Sequence, residues 1–111
     1  MIHSNEYWQD LNRTFMDGIE IISAERKRHT EKHGWTDSHD DEHQNGELAN
    51  AAACYALTHR TRTQNIVDAI WPFHRWWWKP ALTNDRDQRI NELAKAGALI
   101  AAEIDRLKRL K

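Results

Sequence analysis

An unbroken helical period near the C-terminal end of the sequence constrains the fold more than any other feature. Over about residues 85–110, Ile90, Leu93, Gly97, Ile100, Ile104 and Leu107 recur at threes and fours, the repeat of one helix face. A second such face lies within about 6–33, where Leu11, Phe15, Ile19 and Ile22 are spaced four, four and three, with Gly34 as a natural stop. Gly18 inside this segment weakens the helix slightly or admits a neighbour. A third helix is expected over about 41–59, burying Leu48, Ala52 and Tyr55, while the alanines from Ala49 to Ala53 allow a close neighbour. Only two prolines and four glycines punctuate 111 residues, and nothing alternates with the period of two that a strand requires.

Residues 61–87 are the least regular part. Ile66 to Ile70 suits a short helical turn, and Pro72 and Pro80 forbid a regular helix through the tryptophan-rich run between them. The expected fold is all-α: one domain over 1–111, a small antiparallel unit of three main helices and a tryptophan-rich connection. Such a unit buries little core alone, so a homo-oligomer, dimer or tetramer, is expected to complete it.

A net charge of -1 gives no bulk attraction to nucleic acid or to an anionic membrane. No apolar run approaches the roughly 20 residues that span a bilayer, and the first residues lack the basic and apolar pattern of a secretion signal. The single cysteine, Cys54, excludes an internal disulfide, favours a reducing cytoplasm and reads as a small core residue. Neither a nucleic-acid nor a membrane partner is expected.

The chemistry concentrates in His39-Asp40-Asp41-Glu42-His43 and the Gly46-Glu47-Leu48-Ala49-Asn50 that follows. Oxygen-rich clusters bind hard divalent cations such as magnesium, and histidines extend the choice to manganese. If the third helix reaches back to Asp40, then Asp40, His43, Glu47 and Asn50, at spacings of three, four and three, project from one face. The bland alternative is an acidic helix start that complements the helix dipole. Glu25, one turn beyond Ile22 at the margin of the core, is a better ligand candidate than Glu31, which lies among basic residues that would pair with it. The histidines are not spaced for a closed zinc site. A His39-Asp40 pair of the His-Asp hydrolase type is a minor alternative, because that architecture needs more chain.

On the last helix Arg89, Asn91, Glu92 and Lys95 occupy the first three turns; Arg89 and Lys95 are plausible phosphate ligands, with Asn91 beside them as a further substrate contact. Glu103 and Asp105 are explained by intrahelical pairs. Six tryptophans occur, four of them between 71 and 78. They read as core, as an interface or as a base-stacking platform, for which Trp78 with Lys79 is the expected pair.

Taken together, Glu25-Arg26-Lys27-Arg28, Gly34-Trp35, His39 to His43, Gly46 to Ala56, Trp78-Lys79-Pro80 and Lys95 to Ile104 resemble a phage and prophage family. It is the dATP/dGTP diphosphohydrolase group, called MazZ, which is similar to the MazG-like all-α nucleoside triphosphate pyrophosphohydrolases. The resemblance spans roughly residues 18–107. It implies a cytoplasmic, oligomeric, magnesium- or manganese-dependent enzyme in the bacterial host that cleaves a purine (d)NTP to monophosphate and pyrophosphate. In the wider class a Glu-Glu-x-x-Glu motif faces Glu-x-x-Asp. Here Glu47-Leu-Ala-Asn50 resembles the second, with asparagine for aspartate, and Glu25-Arg-Lys-Arg stands where the first would be. The resemblance therefore implies that Asp40, Asp41 and His43 join Glu25, Glu47 and Asn50 as ligands, and that Glu47, Asp41 and Lys95 carry catalysis. A non-catalytic protein that sequesters a nucleotide on the same scaffold is the alternative. A purely structural helical oligomer is a third reading, and it would bind no metal.

Overall fold

The computed structural model describes residues 15–111, and every described element is helical. Helix α1 spans Gly18–His33. Asp17 starts it with a reciprocal capping box: its side chain accepts from the Glu20 N–H while the Glu20 side chain accepts from the Asp17 N–H. Gly34, at φ 66°, ends it in the left-handed conformation that glycine adopts without strain. The short α2, Asp37–Asp41, is capped by Thr36. Helices α3, Glu47–Ala56, and α4, Gln64–Ile70, follow, then a single 3-10 turn at Arg75–Trp77. The long α5, Arg86–Arg109, begins where the Asp85 side chain accepts from the Gln88 N–H.

The all-α expectation holds, the last helix falls within one residue of its expected bounds, and the turn at Ile66–Ile70 is the body of α4. Two expectations are corrected. The first helix does not run through Phe15, because Asp17 caps it there; its earlier part, with Leu11, lies outside the described residues. The helix expected over 41–59 is shorter, Glu47–Ala56, and residues 42–46 separate it from the short α2 that ends at Asp41, because Gly46 stands at φ 83° and breaks the path.

The core lies between α3 and α5. Leu48, Ala51, Ala52 and Tyr55 meet Ala96, Leu99 and Ala102, with Trp71, Phe73 and Trp78 packed against them. Small residues on both helices let the backbones approach, so little side-chain volume is needed to fill the space. The stripe Leu48, Ala52 and Tyr55 is buried as expected, and so is Cys54. The two helices run antiparallel, since Arg89 near the start of α5 donates to the carbonyls of Tyr55, Ala56 and Leu57 at the end of α3.

The two most regular apolar stripes are not the core. Leu93, Ile100, Ile104 and Leu107 remain 45, 48, 52 and 51 % exposed, and Ile19 is 77 % exposed. Helix α5 buries its alanine-rich faces instead. Helix α1 crosses α5 at Gly97, where an added Cβ would stand 2.6 Å from Ile22 Cδ1. Nothing lies within 4 Å of a Cβ at Gly18, so the close approach is at Gly97.

Candidate functional site

The tryptophan-rich connection is tied down along its length. The Lys79 N–H donates to the Tyr55 hydroxyl at 3.3 Å, and the Ala81 N–H donates to Glu92 Oε2 at 2.8 Å. Glu92 also accepts from Arg62 at 2.7 Å and from Arg89 at 3.2 Å. Burial pushes the Glu92 carboxyl up, but the Ala81 N–H and the Arg62 and Arg89 guanidiniums outweigh it and hold it below the usual carboxylate range. This buried hub, with Arg89 also closing the open end of α3, is one that sequence reading missed. Its only signal there was the helical spacing of Glu92 and Arg89.

Held this way, the connection closes an aromatic cavity of about 290 Å³. Trp35, His39 and His43 form one wall, while Trp71, Phe73 and Trp77 form the other. Leu48, Ala51 and Tyr55 of α3 and Leu99 of α5 line the rest, with His74 completing the lining. The rings are in register: Trp35 and His39 are parallel to 4° at 5.7 Å, His39 meets His43 edge-on at 5.0 Å, and His43 meets Phe73 likewise at 5.0 Å. The Asp40 carboxylate fixes the His39 ring through a 3.3 Å contact to Nδ1.

The expected metal ligands are dispersed. Because the helix breaks at 42–46, Asp40, His43, Glu47 and Asn50 do not share one face. Asp40 is buried in α2 against Arg26 at 3.2 Å. His43 stands in the turn, with Nδ1 3.8 Å from the Glu47 carboxylate. Asn50 is exposed on α3. Asp41 is paired with Arg109 at 2.7 Å, which joins α2 to the end of α5. Glu25 is buried and accepts from Arg28 at 2.8 Å, with His29 Nε2 2.9 Å away. Burial raises its carboxyl, but His29 and Arg28 outweigh this and hold it far below the usual range. Among the described residues no group of three or more His, Cys, Asp or Glu stands close enough together to hold a metal ion. The residues as placed therefore do not fit a metal cage.

The expected substrate contacts divide. Lys95 lies over the Tyr55 ring at 5.2 Å, and burial, with Arg28 and Lys79 nearby, lowers its pKa against the opposing pull of Glu25 and Glu92. Trp78 is packed between Tyr55 and Trp71 with Arg62 over its ring, and it does not line the cavity. The Lys79 and Asn91 side chains are exposed, and Arg89 is committed to α3 carbonyls. Glu31 is an exposed partner of Lys27, and Glu103 pairs with Arg106 within α5.

No protein-family model matches the chain, nor does any curated protein or any solved structure. No helix among the described residues is long and apolar enough to cross a membrane.

Proposed function

We propose that the protein binds a purine (d)NTP and hydrolyses it to the monophosphate and pyrophosphate, as a phage-encoded enzyme of nucleotide-pool control that depends on magnesium or manganese. The observation that carries this reading is an aromatic cavity bordered by Tyr55, whose ring is covered by the desolvated Lys95 ammonium. Flat aromatic walls suit a base, and a partly dehydrated ammonium attracts phosphate oxygens more strongly than one in water. The sequence motifs quoted above supply the reaction class. Glu47 is held below the usual carboxylate range by its own N–H, with the Asn45 N–H adding to this against a small burial cost. It is thus ionised at neutral pH and able to accept a hydrogen bond from an attacking water. Of the expected carboxylates, Asp40, Asp41 and Glu25 stand against Arg26, Arg109 and Arg28, and as placed they form no cage for an ion.

Those same pairs favour one second reading, a nucleotide-sequestering protein without turnover. Incubation with each (d)NTP and magnesium or manganese, followed by pyrophosphate detection, separates the two. Release is expected for a purine (d)NTP, with a loss of about 100-fold or more in Glu47→Gln. Full retention in both Glu47→Gln and Asp41→Asn sinks this assignment of the site.

A homo-oligomer is part of the proposal. The exposed positions of α5, Leu93, Ile100, Ile104 and Leu107, belong to the three-four repeat that two helices interlock through. With Ile19, they leave on the order of 500 Å² of apolar surface in water, the size of patch that often serves as a contact surface. A second copy is the occupant this fits, because a face of this size is most of the roughly 800 Å² each partner buries in a stable pair.

A further inference from the structure

The aromatic cavity carries a more specific reading than a general site for a nucleotide. Among the described residues no Asp, Glu, Lys or Arg lines it, so a phosphate inside would meet no compensating charge and would lose its water at high cost. The occupant is therefore the uncharged part of a ligand. The walls are rigid rings, which favour a flat ring that can stack on them. Trp77, about half exposed, lines the cavity and also faces solvent.

Three imidazoles line the cavity, His39, His43 and His74, and of these His39 and His43 stand together, ring against ring. His39 Nδ1 is at 3.3 Å from the buried Asp40 carboxylate, which favours the tautomer with the proton on Nδ1; in that tautomer Nε2 is an acceptor. His43 Nδ1 faces the Glu47 carboxylate at 3.8 Å, which biases its ring the same way. Among the described residues neither Nε2 has a protein partner. Two acceptors on an otherwise apolar wall complement N–H donors at the edge of a heteroaromatic ring.

We infer that this cavity is a nucleobase subsite in which the base stacks against Phe73 and Trp77 and its amino or imino edge donates to His39 and His43. The inference rests on the reading above for the purine class, but the subsite is defined by its own lining and does not depend on turnover.

Deoxyadenosine and deoxyguanosine, which have no phosphate, are the probes, titrated into the 15N-labelled protein and followed by NMR. Saturable binding is expected, weakened about tenfold by Trp77→Ala and by Phe73→Ala, the scale of one lost stacking partner. N6,N6-dimethyldeoxyadenosine keeps the rings but lacks the donor, and it should bind about tenfold more weakly than deoxyadenosine. That preference should vanish in His39→Ala. Trp77 is at the surface, so its variant tests stacking even if Phe73→Ala fails to fold. No nucleoside binding at millimolar concentration, or affinities unchanged in Trp77→Ala and His39→Ala, overturns the subsite. Nucleoside binding with these variant effects but no pyrophosphate release would retain the subsite and remove the hydrolase. Pyrophosphate release without them would do the reverse.

Discussion

At the scale of single residues, buried carboxylates hold the architecture together. Glu92 joins the end of α3, the loop before α4 and the tryptophan-rich connection through Arg62, Arg89 and the Ala81 N–H. Removing its charge leaves Arg62 buried without its anion, so Glu92→Leu is expected to cost about 3 kcal/mol, read as a lowered midpoint in urea. Retention of wild-type stability would show the hub to be dispensable. The pH dependence follows from the same groups. Glu25 and Glu92 have folded pKa values below their unfolded ones. Their stabilisation is therefore complete above the unfolded carboxylate range and is lost as pH falls from there towards the folded values. Thermal unfolding should show a nearly constant midpoint from pH 7 to about 5.5 and a steady decline below about 4.5. In Glu25→Gln the decline should be shallower; an equal slope would remove Glu25 from this account. Glu25, its spacing to Ile22 and its helical spacing to Arg28 were legible in the sequence, but the burial of that pair was not.

At the scale of elements, two glycines decide what the helices do. Gly46 stops α3 from running back to Asp40, which is why four residues with perfect helical spacing do not share a face. Periodicity reports a face only while the helix continues, and a positive φ at one residue ends that inference. Gly97 has the opposite role. It lies inside a regular helix, and its missing side chain is the seat of Ile22. Gly97→Ala gains about 1 kcal/mol in helix propensity but inserts a methyl into Ile22. Overpacking costs about 1–3 kcal/mol, so net destabilisation is expected in thermal melts. Ile22→Val added to Gly97→Ala should recover part of it. A stabilised single variant would mean that α1 moves away freely.

At the scale of the whole molecule, the chain keeps its best apolar stripe for its exterior. From Ala96 to Ala102 every residue of α5 is apolar or small, which suits a helix with neighbours on all sides, and α1 and α3 cover only part of it. Ile100→Glu is therefore expected to convert a homo-oligomer into a monomer in sedimentation velocity while leaving the helical circular dichroism unchanged. A monomer in the parent protein would remove this face from the account.

The sequence by itself determined the helical class, the extent of α5, the buried face of α3 and the place of Cys54. These follow from local periodicity, caps and composition, which the neighbouring residues fix. Only the tertiary structure decided which apolar stripe turned inward, that Arg26, Arg109 and Arg62 met Asp40, Asp41 and Glu92, and which rings closed the cavity. Those choices bring Trp35, His39 and His43 against Trp71, Phe73 and Trp77, groups some thirty or more residues apart in the chain. They depend on packing across α3 and α5, where small side chains let two helices meet at their alanine faces and left the larger ones outside.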